Sequence, residues 1–228
     1  MVLTLLAEPA VSVAAFAVAV LAITRSLLLS HVSDVSLYVT SDRLSSRART
    51  RRAILDEGEE LLLDLLDSGY EGVYVAGHSL GSVISLDLLD RLARRHAVGQ
   101  SLPLARLKGL LTFGSPLDKV AYFFRQRPAE GEAVRAQLLN LLHGVRRRPD
   151  MRDYGPYMLV KHEPPFEHID WLQVHAPGDL LSDRLIHYRV NRRVVLAQFN
   201  PLTAHNSYWR DDRFYDAALT WLRSEPKV

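Results

Sequence analysis

The apolar and polar positions of this chain fall into blocks of two different periods. From Arg47 to Asp67, Ile54, Leu55, Leu61, Leu62, Leu65 and Leu66 recur at helical spacing, and Ser68-Gly69 supplies a stop signal. That pattern predicts a helix with those six residues on one side and the charges Asp56-Glu57 and Glu59-Glu60 on a solvated face. The β-branched run Gly72–Ala76 predicts a strand, and Leu80 to about His96 a second helix, in which Val83, Leu86 and Leu89 can pack on a sheet. A connector from Gly99 to Pro103 leads to another strand at Leu107–Thr112. Ile169–Val174 reads as a strand, His187–Phe199 as two more β-like stretches that include Val194–Phe199, and Phe214–Leu222 as a closing helix. Strands alternating with helices predict an α/β fold with a mostly parallel sheet.

Two segments depart from this rhythm. In residues 1–30, Pro9 to Thr24 is uncharged and Met1 to Ala7 is equally apolar, with only Glu8 between them. A bilayer core takes a helix of about twenty apolar residues, so this segment is expected to be either a membrane helix or a hydrophobic helix that is buried in the fold or covered by a partner. Basic residues follow it at Arg25, Arg43, Arg47, Arg49, Arg51 and Arg52, which would place that side, and the domain at 31–228, in the cytoplasm. Ser30 to Ser46 is a polar connector with one β-like run, Val35–Val39. The second exceptional segment, about 123–165, is rich in arginine and holds an apolar helix candidate at Val134–Leu142.

Composition narrows the function classes. A chain of 228 residues is one domain's worth, with enough apolar content for a sizeable core. A formal charge of +2, with no basic patch interleaved with stacking aromatics, gives no support to a nucleic-acid partner. The absence of cysteine removes disulfides, thiolate metal sites and cysteine nucleophiles together. His162 beside Glu163, and Glu167 beside His168, read as ordinary loop chemistry, so neither a metal nor a cofactor is expected.

The most informative feature is Gly77-His78-Ser79-Leu80-Gly81-Ser82, set between a predicted strand and a predicted helix. In a G-x-S-x-G elbow the serine occupies a strained turn with its hydroxyl exposed. Glycine is expected on both sides because a larger side chain would clash with the turn or a neighbouring strand. The helix that opens at Leu80 directs its first amides at the position of a developing oxyanion.

With this elbow the chain resembles the lipase- and esterase-like members of the α/β-hydrolase superfamily. Two further motifs carry the resemblance: Leu111-Thr112-Phe113-Gly114-Ser115-Pro116-Leu117, similar to the strand end after the elbow helix, and His205-Asn206-Ser207-Tyr208-Trp209, similar to the loop bearing the catalytic histidine. It implies a three-layer sandwich, apparently shortened at its N-terminal side and preceded by the hydrophobic helix, with 123–165 as a cap over the active site. It also implies a Ser-Asp-His triad in which Ser79 is the nucleophile and the Leu80 amide an oxyanion donor. The His-Gly motif that supplies the family's second donor has no counterpart ahead of Ser79.

A serine hydroxyl needs a neighbouring base, and histidine suits the role at neutral pH. Of the nine histidines, His205 follows the run Val194–Phe199 and precedes the terminal helix, where the hydrolase fold delivers its base. His78 adjoins Ser79, but successive side chains around an elbow diverge, so it is expected to point elsewhere. Asp179, on the loop after Ile169–Val174, occupies the family's position for the acid. Asp118 is the runner-up, since some hydrolases carry the acid one strand earlier, and Asp183 reads as a helix-cap or surface residue.

The expected function is hydrolysis of carboxylic esters, of small molecules or lipids, through an acyl-enzyme. Acyl transfer by the same triad, and a catalytically incomplete membrane-tethered interaction module, are the alternatives.

Overall fold

Apolar runs widely separated in the chain become neighbouring parallel strands, shown by a computed structural model that describes residues 46–119 and 166–224. The strands are β1 (Val73–His78), β2 (Leu107–Phe113), β3 (Asp170–His175) and β4 (Arg192–Val195), side by side in that order and all parallel. The helices are α1 (Ser46–Asp67), α2 (Leu80–Ala97), the single turn α3 (Ala204–Ser207) and α4 (Asp212–Arg223). This is an α/β fold. Among the described residues no helix is long and apolar enough to cross a membrane. The hydrophobic segment 1–30, the connector with Val35–Val39 and the cap at 123–165 lie outside the described residues.

Side-chain alternation divides the sheet into two faces. Leu111 and Phe113 of β2, with Leu172 and Val174 of β3, form one core with Phe214 and Trp221 of α4. Leu110, Thr112, Trp171 and Gln173 point the other way, where the Trp171 indole donates to Thr112 Oγ1 at 2.9 Å. Every residue of β3 is buried, including Asp170, Gln173 and His175. Asp170 meets Arg192 of β4 at 2.7 Å, and the Gln173 amide donates to the Asp183 carbonyl.

Three sequence expectations change here. The elbow strand runs two residues further than Gly72–Ala76, taking Gly77 and His78 into the ladder beside Thr112 and Phe113. Only one strand forms within His187–Phe199, at Arg192–Val195. The Leu196 amide makes the last bond to β3, to the His175 carbonyl at 2.9 Å, and the chain then turns, the Gln198 amide bonding back to the Leu196 carbonyl at 2.8 Å. The closing helix starts earlier than Phe214 because the Asp211 carboxylate accepts the Arg213 amide at 3.0 Å and caps it.

The six apolar residues of α1 do not share one fate. Leu55, Leu62 and Leu66 are buried, whereas Ile54 is 39% and Leu61 61% exposed. Intervals of seven and four follow the 3.6-residue turn, and a hydrophobic list alone cannot choose between adjacent leucines. Nor is the acidic side merely solvated. Arg91 of α2 meets Asp56 at 2.7 Å and Glu59 at 3.2 Å, Arg95 also pairs with Glu59, and Arg51 reaches the buried Asp87 at 2.8 Å. The two helices are joined by charge along their contact.

Leu62→Ala should therefore cost about 2–5 kcal/mol, and Leu61→Ala no more than about 0.5, by urea unfolding; equal costs would refute this placement.

Asp90 of α2 carries an unfavourable counterpart. It is buried, and Arg94 approaches Oδ2 at 2.8 Å without forming a hydrogen bond to it. Burial pushes its carboxyl up to about 7; the positive charge of Arg94 opposes this and the negative charge of Asp87 adds to it. A carboxyl with a folded pKa above its unfolded value of about 3.9 loses stability for the protein as pH rises between the two. Stability should fall from pH 4 to 7 through this group. Asp90→Asn should flatten that slope and be more stable than the parent at pH 8; an unchanged slope would show that Asp90 is not its source.

Candidate active site

Parallel strands end on the same edge of a sheet, so the loops after β1, β2 and β3 emerge together. Ser79 follows β1 directly, with φ 53° and ψ −124°, and forms the N-terminal boundary of α2. A non-glycine residue at positive φ is strained and needs its surroundings to hold it there. Its amide bonds to the Phe113 carbonyl at the end of β2 at 3.1 Å, and its carbonyl accepts the Ser82 amide at 3.0 Å. The Ser82 hydroxyl returns to the Gly77 carbonyl at 2.9 Å, closing the turn from inside.

The two elbow glycines have different reasons to be there. A Cβ on Gly77 would lie 2.6 Å from the Gly81 carbonyl oxygen and 2.7 Å from the Ser82 nitrogen. These are backbone atoms that no rotamer can move. Among the described residues a Cβ on Gly81 would meet nothing within 4 Å, so the expected clash on that side has no counterpart there.

Ser79, His205 and Asp179 meet at this edge. His205 Nε2 is 3.0 Å from Ser79 Oγ, and Nδ1 is 3.0 Å from both Asp179 carboxylate oxygens. A carboxylate can only accept, so Nδ1 carries a proton in this arrangement and Nε2 faces the Ser79 hydroxyl as an acceptor. The Asp179 side chain has no solvent exposure and that of His205 has 10%. Leu80, whose amide lies in the unpaired first turn of α2, is next to Ser79.

Asp179 is held on all sides. The Leu181 and Ser182 amides donate to Oδ1 at 3.0 and 3.2 Å, and the Tyr208 hydroxyl donates to Oδ2 at 2.9 Å. Burial alone would raise this carboxyl. The His205 hydrogen bond and its attraction, with the Tyr208 and Leu181 bonds, prevail and hold it below the ordinary range. The Asp179 loop is also fastened to the chain ahead of His205: the Gly178 amide donates to the Gln198 carbonyl at 2.8 Å. The Gln198 side chain in turn contacts Asp211 and Ser207, tying both flanks of the His205 segment.

The His78 ring lies against the backbone of the His205 segment. Nε2 donates to the His205 backbone carbonyl at 3.0 Å, and the ring stacks on Phe113 at 4.9 Å between centroids. Gly114, at φ +57°, leaves the space this needs, since a Cβ there would come within 3.0 Å of His78 Nε2 and 3.3 Å of the Tyr208 ring. All three motifs singled out in the sequence thus touch one another.

Asp118 and Asp183 stand apart from His205. Asp118 accepts the Ile186 and His187 amides at 2.7 and 3.3 Å. Asp183 accepts the Lys119 amide at 3.0 Å and pairs with its Nζ at 3.1 Å, so its carboxylate serves a first-turn amide of the helical residues 117–119. His175, at the end of β3, is buried with neither ring nitrogen hydrogen-bonded among the described residues. Burial, then Arg184 and Arg193, depress its basicity against the pull of Asp179. Among the described residues, no three His, Asp or Glu side chains group as metal ligands.

Sequence reasoning passed over His78, Gln198 and Tyr208. Tyr208 had a usable signal: three residues after His205, it lies on the same side of a helical turn. Gln198 is the one polar residue in an otherwise apolar run.

No protein-family model matches the chain, and no curated protein matches it in sequence. Among solved structures it is similar to the esterase domain of a Rhodothermus marinus protein, with 19% identity over 86% of this chain and 80% of that one, at a TM-score of 0.39.

The unequal glycines give a direct test of the elbow. Gly77→Ala should cost about 3 kcal/mol or prevent folding, whereas Gly81→Ala should be neutral or stabilising by about 0.5–1 kcal/mol. Thermal unfolding of both variants would reveal the contrast; a tolerated Gly77→Ala would refute the geometry.

Proposed function

We propose that the protein is a serine hydrolase that cleaves carboxylic esters through a covalent acyl-enzyme. The observation that carries this reading is the continuous path from Ser79 Oγ to His205 Nε2 and from His205 Nδ1 to Asp179, with 3.0 Å at each step. The strained position of Ser79 at the start of α2 adds to it.

In the proposed reaction Ser79 Oγ attacks the ester carbonyl as its proton passes to His205 Nε2. Asp179 stays ionised and stabilises the imidazolium through Nδ1. The negative charge on the former carbonyl oxygen develops beside the Leu80 amide, which serves as one oxyanion donor. The C–O bond to the alcohol breaks, and His205 returns the proton to the leaving oxygen. Water, deprotonated by His205, then attacks the acyl carbonyl and releases the acid and free Ser79. One oxyanion-hole donor is worth about 10²–10³ in rate, so the second donor has a large share in turnover.

Fluorophosphonate labelling tests the nucleophile without knowledge of the substrate. The parent should be modified at Ser79, Ser79→Ala should be inert, and His205→Ala should react at least about 10²-fold more slowly, in keeping with the loss of the general base. A folded parent that resists labelling, or a Ser79→Ala protein that still reacts, would overturn the proposal.

A further inference from the structure

Among the described residues, Tyr208 and His205 are the side chains that hydrogen-bond to the Asp179 carboxylate. The Tyr208 ring is wholly buried, packed edge-on against Phe113 at 5.8 Å and Phe214 at 6.5 Å between centroids. Its oxygen is bonded at both ends: it accepts the Ala176 amide at 3.1 Å and lies 2.9 Å from Asp179 Oδ2. An amide can only donate and a carboxylate can only accept, so the phenol proton is directed at Oδ2.

We propose that Tyr208 is a positioning residue for the acid of this site: its hydroxyl ties Asp179 to the end of β3 and fixes the carboxylate in the orientation that meets His205 Nδ1. The proposal rests, for its catalytic meaning, on the reading of Ser79, His205 and Asp179 as a triad.

The geometry explains why a third donor is needed. Leu181 and Ser182 amides both bind Oδ1, and His205 Nδ1 is equidistant from the two oxygens. Without Tyr208, Oδ2 would keep only the shared imidazole bond, and the carboxylate could turn about its Cβ–Cγ axis. The spacing also makes the two groups a unit. His205 lies in α3 and Tyr208 opens the turn Tyr208–Arg210 that continues it, so a shift of this segment moves base and acid partner together. Burial and the neighbouring Asp179 charge push the phenol up, so it remains a donor throughout the working range.

The charged and titratable groups facing Asp179 are His205 and Tyr208 from the terminal segment and His175 from β3, itself influenced by Arg184 and Arg193. Loss of the phenol removes one of the bonds that hold the carboxyl low, so its pKa must rise. Asp179 contributes stability above its unfolded value and loses it as pH falls through the lower folded value, and Tyr208→Phe gives up part of that contribution.

The test is Tyr208→Phe, which keeps the ring, beside Tyr215→Phe. Tyr215 packs on the same Phe214 but donates to the Trp209 carbonyl, away from Asp179. Carbon NMR of the Asp179 carboxyl should show its titration midpoint rise by about half a pH unit or more in Tyr208→Phe, as removal of one hydrogen bond to an ionised group requires. The low-field proton between His205 and Asp179 should shift or broaden, with neither change in Tyr215→Phe. Unchanged carboxyl titration and low-field proton in a folded Tyr208→Phe protein would overturn the proposal. Should that variant not fold, the parent answers instead: the Tyr208 hydroxyl proton should be observable and move on Asp179→Asn, and a resonance indifferent to that change would equally overturn it. These readouts need no turnover, so failed labelling of Ser79 would count against the hydrolase reading and leave the Tyr208 contact to be judged separately.

Discussion

A carboxylate withdrawn from water has to be surrounded by donors, and that requirement at Asp179 organises the functional edge of this protein. Its side chain has no solvent exposure, and it is held by two amides of its own loop, by an imidazole and by a phenol. Those donors belong to two segments that are distant in the chain. The ionised group therefore acts as the junction on which the Asp179 loop and the His205 segment close. Removing any one donor would alter the charge distribution that His205 experiences, and not only the local fold.

The sheet makes this junction affordable in space. Parallel pairing brings the ends of β1, β2 and β3 to one edge, and each contributes a different element there. β1 delivers the strained Ser79, β2 receives its amide at Phe113 and leaves room for His78 at Gly114, and β3 leads into the acid loop. Below that edge the apolar core of β2, β3 and α4 holds the strand ends rigidly enough to sustain a serine at positive φ. On the far side of α2, ion pairs with α1 fasten the helix whose first turn carries Leu80. The buried Asp90 on that same helix works against the fold at neutral pH, so α2 combines strong anchoring with a built-in electrostatic cost.

Much of the architecture was legible in the order of apolar runs. The positions of α1, α2, β2 and β3, and the stop at Ser68-Gly69, follow from local pattern. Boundaries were less legible where tertiary hydrogen bonds overrode it. Val194–Phe199 has the composition of a strand, but the Gln198 amide turns back to the Leu196 carbonyl and the ladder stops. The adjacent Leu61 and Leu62 have equal hydrophobicity and opposite exposure, because helix phase is fixed by contact with α2 and not by composition. The case of His78 is similar. Divergence of neighbouring side chains is sound locally, but the folded chain returns the His205 carbonyl to the place where His78 points.

By itself the sequence determined the elements, the Gly77-to-Ser82 turn with its strand before and helix after, and the residue types available for proton transfer. These are local properties, set by dihedral preference and periodicity over a few residues. Tertiary structure alone decided that Ser79 and His205, 126 positions apart, and His205 and Asp179, 26 apart, stand within hydrogen-bond reach. It also gave Asp118 and Asp183 backbone amides as partners while Asp179 meets His205. The reason is physical: a hydrogen bond requires placement within tenths of an ångström, and only the packed sheet and its loops confer that precision on residues so far apart in the chain.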